Sequence, residues 1–500
     1  MLDFPINWTQ NPYKVPSFAH HLNSLRWLDQ HSLKEIKMVL KDFYNFHIVQ
    51  KRQNRYYTNI KGDHATTIRL YFLERFLKSF LELKDEEGML VVKSLIIQDL
   101  LNLQRPSMYR KGHNHGIMSD SVLMYFALKK DFRASVDIVP IIKRSLKTFY
   151  HMWYKNGETT EHSLTYQEFN LGESIRYIRY LKEIFKTYPF SFVEKLRLLL
   201  TKKDIDFHIL VSQTRKLCGF MLRSDETYFP LGDSTREPIK SILYSHINKN
   251  ASSITQALEP FSKEHGLYFT PRFVAFRNET LHFASTCQHF SNSHKQNDEF
   301  HFCLDINQEC IFDDCGHADF TNAETAELMS CEKTHSTITI SNIEYSPKKF
   351  SNFNSKINSA NINDEVLEVI MQHQRINHVK MQRIFLLDTK NISLHIQNHI
   401  EIFDMNLIHE DLEFRFVLSP SIVFEIFNEN LVRLRSEQQN YYLKCVDDLC
   451  YSVDSQTIPY LASYPNLQTT NMLIFKKHIS SSKEKLDFIF YKDMNDEVIS

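Results

Sequence analysis

"EFHFCLDINQECIFDD", residues 299–314, changes side every residue: Phe300, Phe302, Leu304 and Ile306 share one face. That period of two belongs to a strand with one buried side. Upstream, "YFTPRFVAFRNETLHFAST" (268–286) reads as two short runs joined by a turn at Asn278–Thr280. Downstream, "STITISNIEY", "RIFLLD", "NISLHIQNHIEIF", "LEFRFVL", "YYLKCV", "NMLIFKKHI" and "KLDFIFY" continue in the same manner. Many short strands with turns between them predict an antiparallel, multi-stranded architecture. Before about residue 265 the period is different. "FLERFLKSFLEL" places Phe72, Leu73, Phe76, Leu77, Phe80 and Leu81 on one helical stripe. "SIRYIRYLKEIF" repeats this with Ile175, Ile178, Leu181 and Ile184, and "FVEKLRLLL" (192–200) and "DIDFHILVSQTRKLCGFML" (204–222) follow suit. The ordinary reading of these stripes is core packing. The expected division is helical over 1–250 and β over 251–500, with the polar 245–266 as junction and the Ser/Asn-rich 346–365 as a surface loop. A helical half facing a sheet half makes a cleft, and clefts at domain boundaries hold ligands.

The bulk numbers narrow the class. Five hundred residues exceed one ordinary core. With 42% hydrophobic and 24% charged residues the chain has a normal globular composition. A net charge of −1 provides no global field to recruit nucleic acid or a membrane surface. The start, "MLDFPINWTQ", shows no basic segment followed by an apolar one, and no run is long enough to span a bilayer. The expectation is a cytoplasmic protein, or a periplasmic one if a leader has been removed. The eight cysteines have no zinc-finger spacing and are expected as free thiols, with a bridge or two conceivable among the five between 287 and 331 if the protein is exported.

Four clusters could carry chemistry. "KGHNHGIMSDSVLMYFAL" (111–128) spends Gly112 and Gly116, two of only ten glycines, around His113, Asn114 and His115. If a helix begins near Asn114, its free N–H groups favour an anion there, and Gly116 lets a ligand approach the backbone. The plain alternative is that Asn114 caps the helix. "NGETTEHSLTYQEFNLGES" (156–174) sets His162 and Tyr166 near a helix start, and "FPLGDSTRE" (229–237) is a turn. The last cluster, 291–320 with 330–340, holds His294, Asp298, Asp313, Asp314 and His335 on or beside strands. Solvated turns are the simpler account of Asp298 and Asp313.

Their order is more telling than any one of them. "HNHG" before a helix is followed by "EHSLTY", "PLGDS", "HKQNDEFHFCLDINQECIFDDCG" and "THSTITI", and the chain opens with "INWTQNPYKVPSFAHHLNSLRWL". Together, over roughly residues 5–345, these resemble the heparinase II/III-like polysaccharide lyases. The resemblance implies an incomplete (α/α) toroid packed on a C-terminal antiparallel β-sandwich. It also implies a uronic acid-containing substrate, an acidic polysaccharide or oligosaccharide, cut by β-elimination. That chemistry needs donors on the C6 carboxylate so that charge can build as the C5 proton leaves, a base for that proton and an acid for O4.

Carried over by motif, Asn114 would neutralise the carboxylate with His115 beside it. Tyr166 would be the acid, and also the base in a syn elimination. His294 would assist neutralisation or act as base for the opposite epimer. Arg110, Lys111, Gly116 and His162 would contact or support the substrate, and Gly232, Asp233 and Ser234 would shape the wall. The family's structural divalent metal, zinc or calcium, would use Asp314, His335 and position 296. This chain has Gln296 where the family has His, and Ser336 where it commonly has Asn. Gln is a poorer zinc ligand than imidazole, so a weak site, another ion or none is expected. Two other readings stand beside the lyase. One is a non-lytic glycan-binding or processing protein on the same fold, acting in capsule or surface-polysaccharide biosynthesis. The other is a glycosidase drawing on Glu158, Glu161 and Asp233.

Overall fold

A computed structural model describes residues 4–12, 16–50, 62–154, 156–189, 194, 207–236, 262–287, 294–318, 323–346, 353–446, 450–463 and 466–492. The chain forms two compact units: Met1–Lys155 with Asn170–Val211, and Asn156–Phe169 with Ser212–Ser500. Most of the 192–200 stripe and the first part of the 245–266 junction lie outside the described residues.

The first unit is helical. Its helices are α1 (Pro16–Ser24), α2 (Leu33–Tyr44), α3 (Asp63–Glu82), α4 (Glu86–Gln104), α5 (Asn114–Ala127), α6 (Ile138–Met152) and most of α7 (Leu164–Thr187). Ser32 and Glu35 close a capping box on α2, and Asp85 caps α4 through the Gly88 N–H. In α3 the predicted stripe buries Leu73, Phe76, Leu77 and Phe80, while Leu81 is exposed. Between α3 and α4, Arg69 grips Asp99 with two bonds, Nε to Oδ2 at 2.8 Å and Nη2 to Oδ1 at 2.9 Å, out of contact with solvent. The predicted apolar stripe of α7 is only part of its buried face. Leu181 and Ile184 are buried, but so are Tyr177 and the Glu173–Arg176 pair (3.1 Å).

The second unit carries α8 (Phe207–Phe220), most of which belongs to it, α9 (Ala323–Ser330) and three antiparallel sheets. The first sheet runs in chain order, β1 (Gly266–Phe269), β2 (Phe273–Arg277), β3 (Leu281–Thr286), β4 (Phe302–Ile306) and β5 (Glu309–Phe312). The remaining strands are β6 (Ile338–Ile340), β7 (Lys356–Asn363), β8 (Val366–His373), β9 (Val379–Asp388), β10 (Ser393–Ile402), β11 (Asp411–Val417), β12 (Val423–Asn428), β13 (Leu431–Arg435), β14 (Asn440–Cys445), β15 (Ser452–Ser463), β16 (Asn466–His478) and β17 (Lys483–Lys492). Eight of them are ordered β12-β13-β14-β17-β10-β9-β8-β7 and four β15-β16-β11-β6. One apolar core draws on all three sheets, with interlocking rings such as Phe302 on Phe385 (5.2 Å) and Phe416 on Phe488 (5.0 Å). The turn at Asn278–Thr280 falls between β2 and β3 as expected. The stretch 299–314, however, is two strands, β4 and β5, joined at left-handed Asn307 and Gln308. Phe300 lies outside them, and β4 is buried at every residue rather than on one face.

Two further expectations are corrected. Residues 346–365 are not simply a loop: they contain β7, an edge strand whose Ile357 and Ala360 reach the core. An edge strand tolerates the Ser and Asn that suggested a loop, because one side of its ladder faces away from the sheet. Asp298 and Asp313 are not solvated turns. Asp298 is buried against Lys295, and Asp313 accepts from Arg236 and from the Tyr460 hydroxyl (3.0 Å). The eight cysteines form no disulfide, in line with the expectation of free thiols.

Burial of histidine gives the fold a pH dependence. His47, packed on Phe43 at 4.2 Å, and His373, on Phe300 at 4.3 Å, are pushed by burial down to about 3. Both are neutral in the folded state, whereas the unfolded chain takes up protons below about 6.5. The unfolded state therefore binds more protons between pH 6.5 and 3, and stability falls as pH falls through that window. Each such histidine should add a slope of up to about 1.4 kcal/mol per pH unit. Urea unfolding between pH 7 and 5 should show this loss, and His47→Leu should flatten it; an unchanged slope would refute the assignment.

Candidate functional site

The start of α5 belongs to the helical unit. Gly112 adopts a left-handed φ of 70° and turns the chain into the helix. The cap is His113, not Asn114: its Nδ1 accepts the His115 N–H at 3.3 Å, and Asn114 is the first helical residue, buried. Gly116 has a packing reason within the chain itself, since a β-carbon there would meet the Arg110 carbonyl oxygen at 2.5 Å. His115 Nδ1 lies 3.3 Å from both Asp63 Oδ1 and Arg110 Nη1. Arg110 and Lys111 are exposed. Sequence reasoning did not single out His20, His64 and Asp63. Ring contacts run from His20 to His64 (4.8 Å), His64 to His115 (4.5 Å) and His115 to His113 (4.6 Å). Burial, then Arg26, pushes His20 down to about 4.

Tyr166, His162 and His294 belong to the other unit. Ser163 and Gly232 form an antiparallel bridge, the Ser163 hydroxyl donates to the Asp233 carbonyl (2.9 Å), and the Leu164 N–H donates to Ser234 Oγ (2.8 Å). Gly232 is required: its φ is 62°, and a β-carbon would overlap the His162 carbonyl oxygen. The Asp233 N–H reaches the His294 carbonyl (3.3 Å), and His294 itself has a left-handed φ of 56°. These ties bring the Tyr166 and His294 rings face to face, with centroids 3.4 Å apart and planes 18° apart. Asp233 is more than wall. Its Oδ2 lies 3.3 Å from His294 Nδ1, and its Oδ1 lies 3.2 Å from Gln296 Nε2 and 3.4 Å from His317 Nδ1. His317 was missed because its motif has only a Gly before it to mark it.

The electrostatics keep Tyr166 protonated. Burial raises its pKa first, and the carboxylates of Glu161 and Asp233 add to this. His162 is buried, and its backbone carbonyl makes the approach to Gly232. Glu158 is tied to Arg272 (3.6 Å) and Thr270, and burial raises its pKa.

Of the expected metal residues, Asp314 and His335 stay together and Gln296 does not join them. Gln296 Nε2 donates to Asp233 and to the Gly316 carbonyl (3.2 Å). His301 takes its place beside Asp314 and His335: His301 Nε2 and His335 Nδ1 lie 3.1 and 2.8 Å from Asp314 Oδ2, all three residues fully buried. The potential ligand atoms fall within 4.8 Å of one another. The hydrogen bonds nevertheless do not fit a zinc site. The Ser336 N–H donates to His301 Nδ1 at 2.9 Å, so the neutral ring carries its proton on Nε2 and offers Asp314 a donor, not a lone pair. Structural zinc needs four donors, and this leaves Asp314 and His335.

No protein-family profile and no curated protein matches the sequence. The fold does match. Its helical region and antiparallel sheets are similar to those of solved heparinase and heparan sulfate lyase structures. The solved structures that share it include a heparinase III, at TM-score 0.72 and 13% identity over 98% of this chain and 80% of that one. The heparan sulfate lyase HepC from Pedobacter heparinus aligns at TM-score 0.63 and 13% identity, over 97% and 78%. Among the described residues no helix is long and apolar enough to cross a membrane.

Gly232→Ala should be costly, because strain and overlap act together. A loss on the order of 3 kcal/mol is expected. Gly112→Ala has only the His151 β-carbon nearby, at 3.5 Å, and should cost about 1–2 kcal/mol. Denaturant titration of both variants checks the order, which would be reversed if the His162–Gly232 approach were not tight.

Proposed function

We propose that the protein is a polysaccharide lyase that cleaves a uronic acid-containing polysaccharide by β-elimination. We read its helical unit as an incomplete (α/α) toroid and its sheet unit as a β-sandwich. The observation that carries the reading is the face-to-face contact of Tyr166 and His294. It supports a division of labour. His294 takes the C5 proton, the C4–O4 bond breaks, the electron pair forms the C4–C5 double bond, and the Tyr166 hydroxyl gives its proton to O4. The imidazolium then returns a proton to the phenolate beside it, and the cycle closes. A phenol whose pKa is raised by burial and two carboxylates suits the acid better than the base. Asn114 and His115 take the role of holding the uronate carboxylate, where donors are needed as charge builds. Heparan sulfate-type polymers are the first substrates to try, a choice supported by the name of one similar structure, with alginate-type and capsular uronates next.

Tyr166→Phe keeps the ring and removes the proton. Turnover, read as ultraviolet absorbance of the unsaturated uronate across a polysaccharide panel, should fall by at least ~10²-fold with the fold intact. Asn114→Ala should lower turnover by a comparable ~10²-fold. Full activity of Tyr166→Phe would remove the acid from the mechanism. Binding with no unsaturated product from any uronate would favour the non-lytic glycan-binding reading.

We also propose that His301, Asp314 and His335 act as a hydrogen-bonded strut rather than a metal site. The purified protein should contain well under one equivalent of zinc or calcium by mass spectrometry, and chelator should leave its melting temperature unchanged. One tightly held equivalent, lost in His301→Ala, would overturn this.

A further inference from the structure

We propose that Asp233 is the positioning residue of His294, fixing which imidazole nitrogen carries the proton. The role of His294 as base rests on the lyase reading above; the geometry that fixes its tautomer does not. Asp233 Oδ2 faces His294 Nδ1 at 3.3 Å. A carboxylate at pH 7 only accepts, so a neutral ring must place its proton on Nδ1. That leaves the lone pair on Nε2, which makes no hydrogen bond among the described residues and sits on a side chain 16% exposed. A base needs that lone pair.

The carboxylate is itself held. Gln296 donates to Oδ1 at 3.2 Å, and His317 Nδ1 stands 3.4 Å from the same oxygen. Gln296 is buried and anchored by its second bond, to the Gly316 carbonyl. With Oδ1 occupied, Oδ2 cannot rotate away from His294. The Tyr166 ring covers one face of the imidazole, so the ring is fixed in plane by Asp233 and out of plane by Tyr166. The Asp233 N–H also binds the His294 carbonyl at 3.3 Å, which couples the two backbones.

The arrangement predicts what Asp233→Asn does. Gln296 still donates to one atom, which selects the amide oxygen for that position. The amide nitrogen then faces His294 and offers a donor to Nδ1. The preferred tautomer inverts, the proton moves to Nε2, and the base is lost without loss of ring or volume.

The test is a spectroscopic one on the full chain. Histidines are labelled with ¹⁵N, and the His294 signals are identified by their absence in His294→Gln. In the wild type at neutral charge, long-range ¹H–¹⁵N correlation should show a protonated Nδ1 and an unprotonated Nε2. Asp233→Asn should invert this, and where a product is made should lower kcat by about 10²–10⁴-fold with KM little changed. A wild-type Nε2–H tautomer, or one unchanged in Asp233→Asn, overturns the proposal. If Asp233→Asn does not fold, the wild-type tautomer alone decides. The predicted tautomer in a protein that makes no unsaturated product would sink the lyase reading and leave the Asp233 assignment standing; turnover with the wrong tautomer would do the reverse.

Discussion

The close approach of the His162 carbonyl to Gly232 is the constraint on which the site depends. It exists only because residue 232 has no side chain and sits at a left-handed φ. Once the two segments meet there, Ser163 and Leu164 bond to Asp233 and Ser234, and the first turn of α7 is aimed. Tyr166 then faces His294, and Asp233 is delivered to the edge of the same ring. One backbone contact thus places three side chains from three distant segments. The left-handed conformation of His294 is the same kind of local cost, borne where the surrounding bonds determine it.

Around this point the sheet unit buries several ion pairs. Lys295 lies against Asp298 and Glu299, Arg375 bonds Glu299 at 2.8 Å, and Arg236 bonds Asp313. Removing one member of such a group leaves the other uncompensated and is far more damaging than its net contribution suggests. Their net contribution to stability is therefore small, but they fix geometry. Asp298 shows this: it accepts the Gly232 N–H at 3.1 Å while held by Lys295, so a buried ion pair steadies the residue next to Asp233.

Periodicity made the two halves of the fold legible, because a period of two or of 3.6 is a local property of the chain. Helix caps and buried charges were not legible in the same way. Asn114 looked like the cap because Asn is statistically favoured, yet a histidine nitrogen accepts the same N–H and His113 does so. Asp313 looked solvated because its partner Arg236 is 77 residues away, and no local pattern announces it. Of the site, Tyr166 and His294 were found through motif order. Asp233 was seen only as wall, and His317 and the His20–His64 rings were not seen, since each becomes significant only through a neighbour that the fold supplies.

Position 296 shows how one residue reorganises two networks. An imidazole there would carry a single proton when neutral and could donate to Asp233 or to the Gly316 carbonyl, but not to both. The Gln296 amide has two N–H groups and serves both acceptors. The carboxylate that faces His294 is thereby tied to the Gly316 turn. That turn is in turn fixed by Asp314, whose Oδ1 accepts the Gly316 N–H at 2.7 Å while Oδ2 meets His301 and His335. A chain of hydrogen bonds runs from the buried His–Asp–His group through Gly316 and Gln296 to Asp233 and the catalytic candidate His294. The amide links these groups through directional bonds alone, so a side chain that is a poor metal ligand supplies the connection between them.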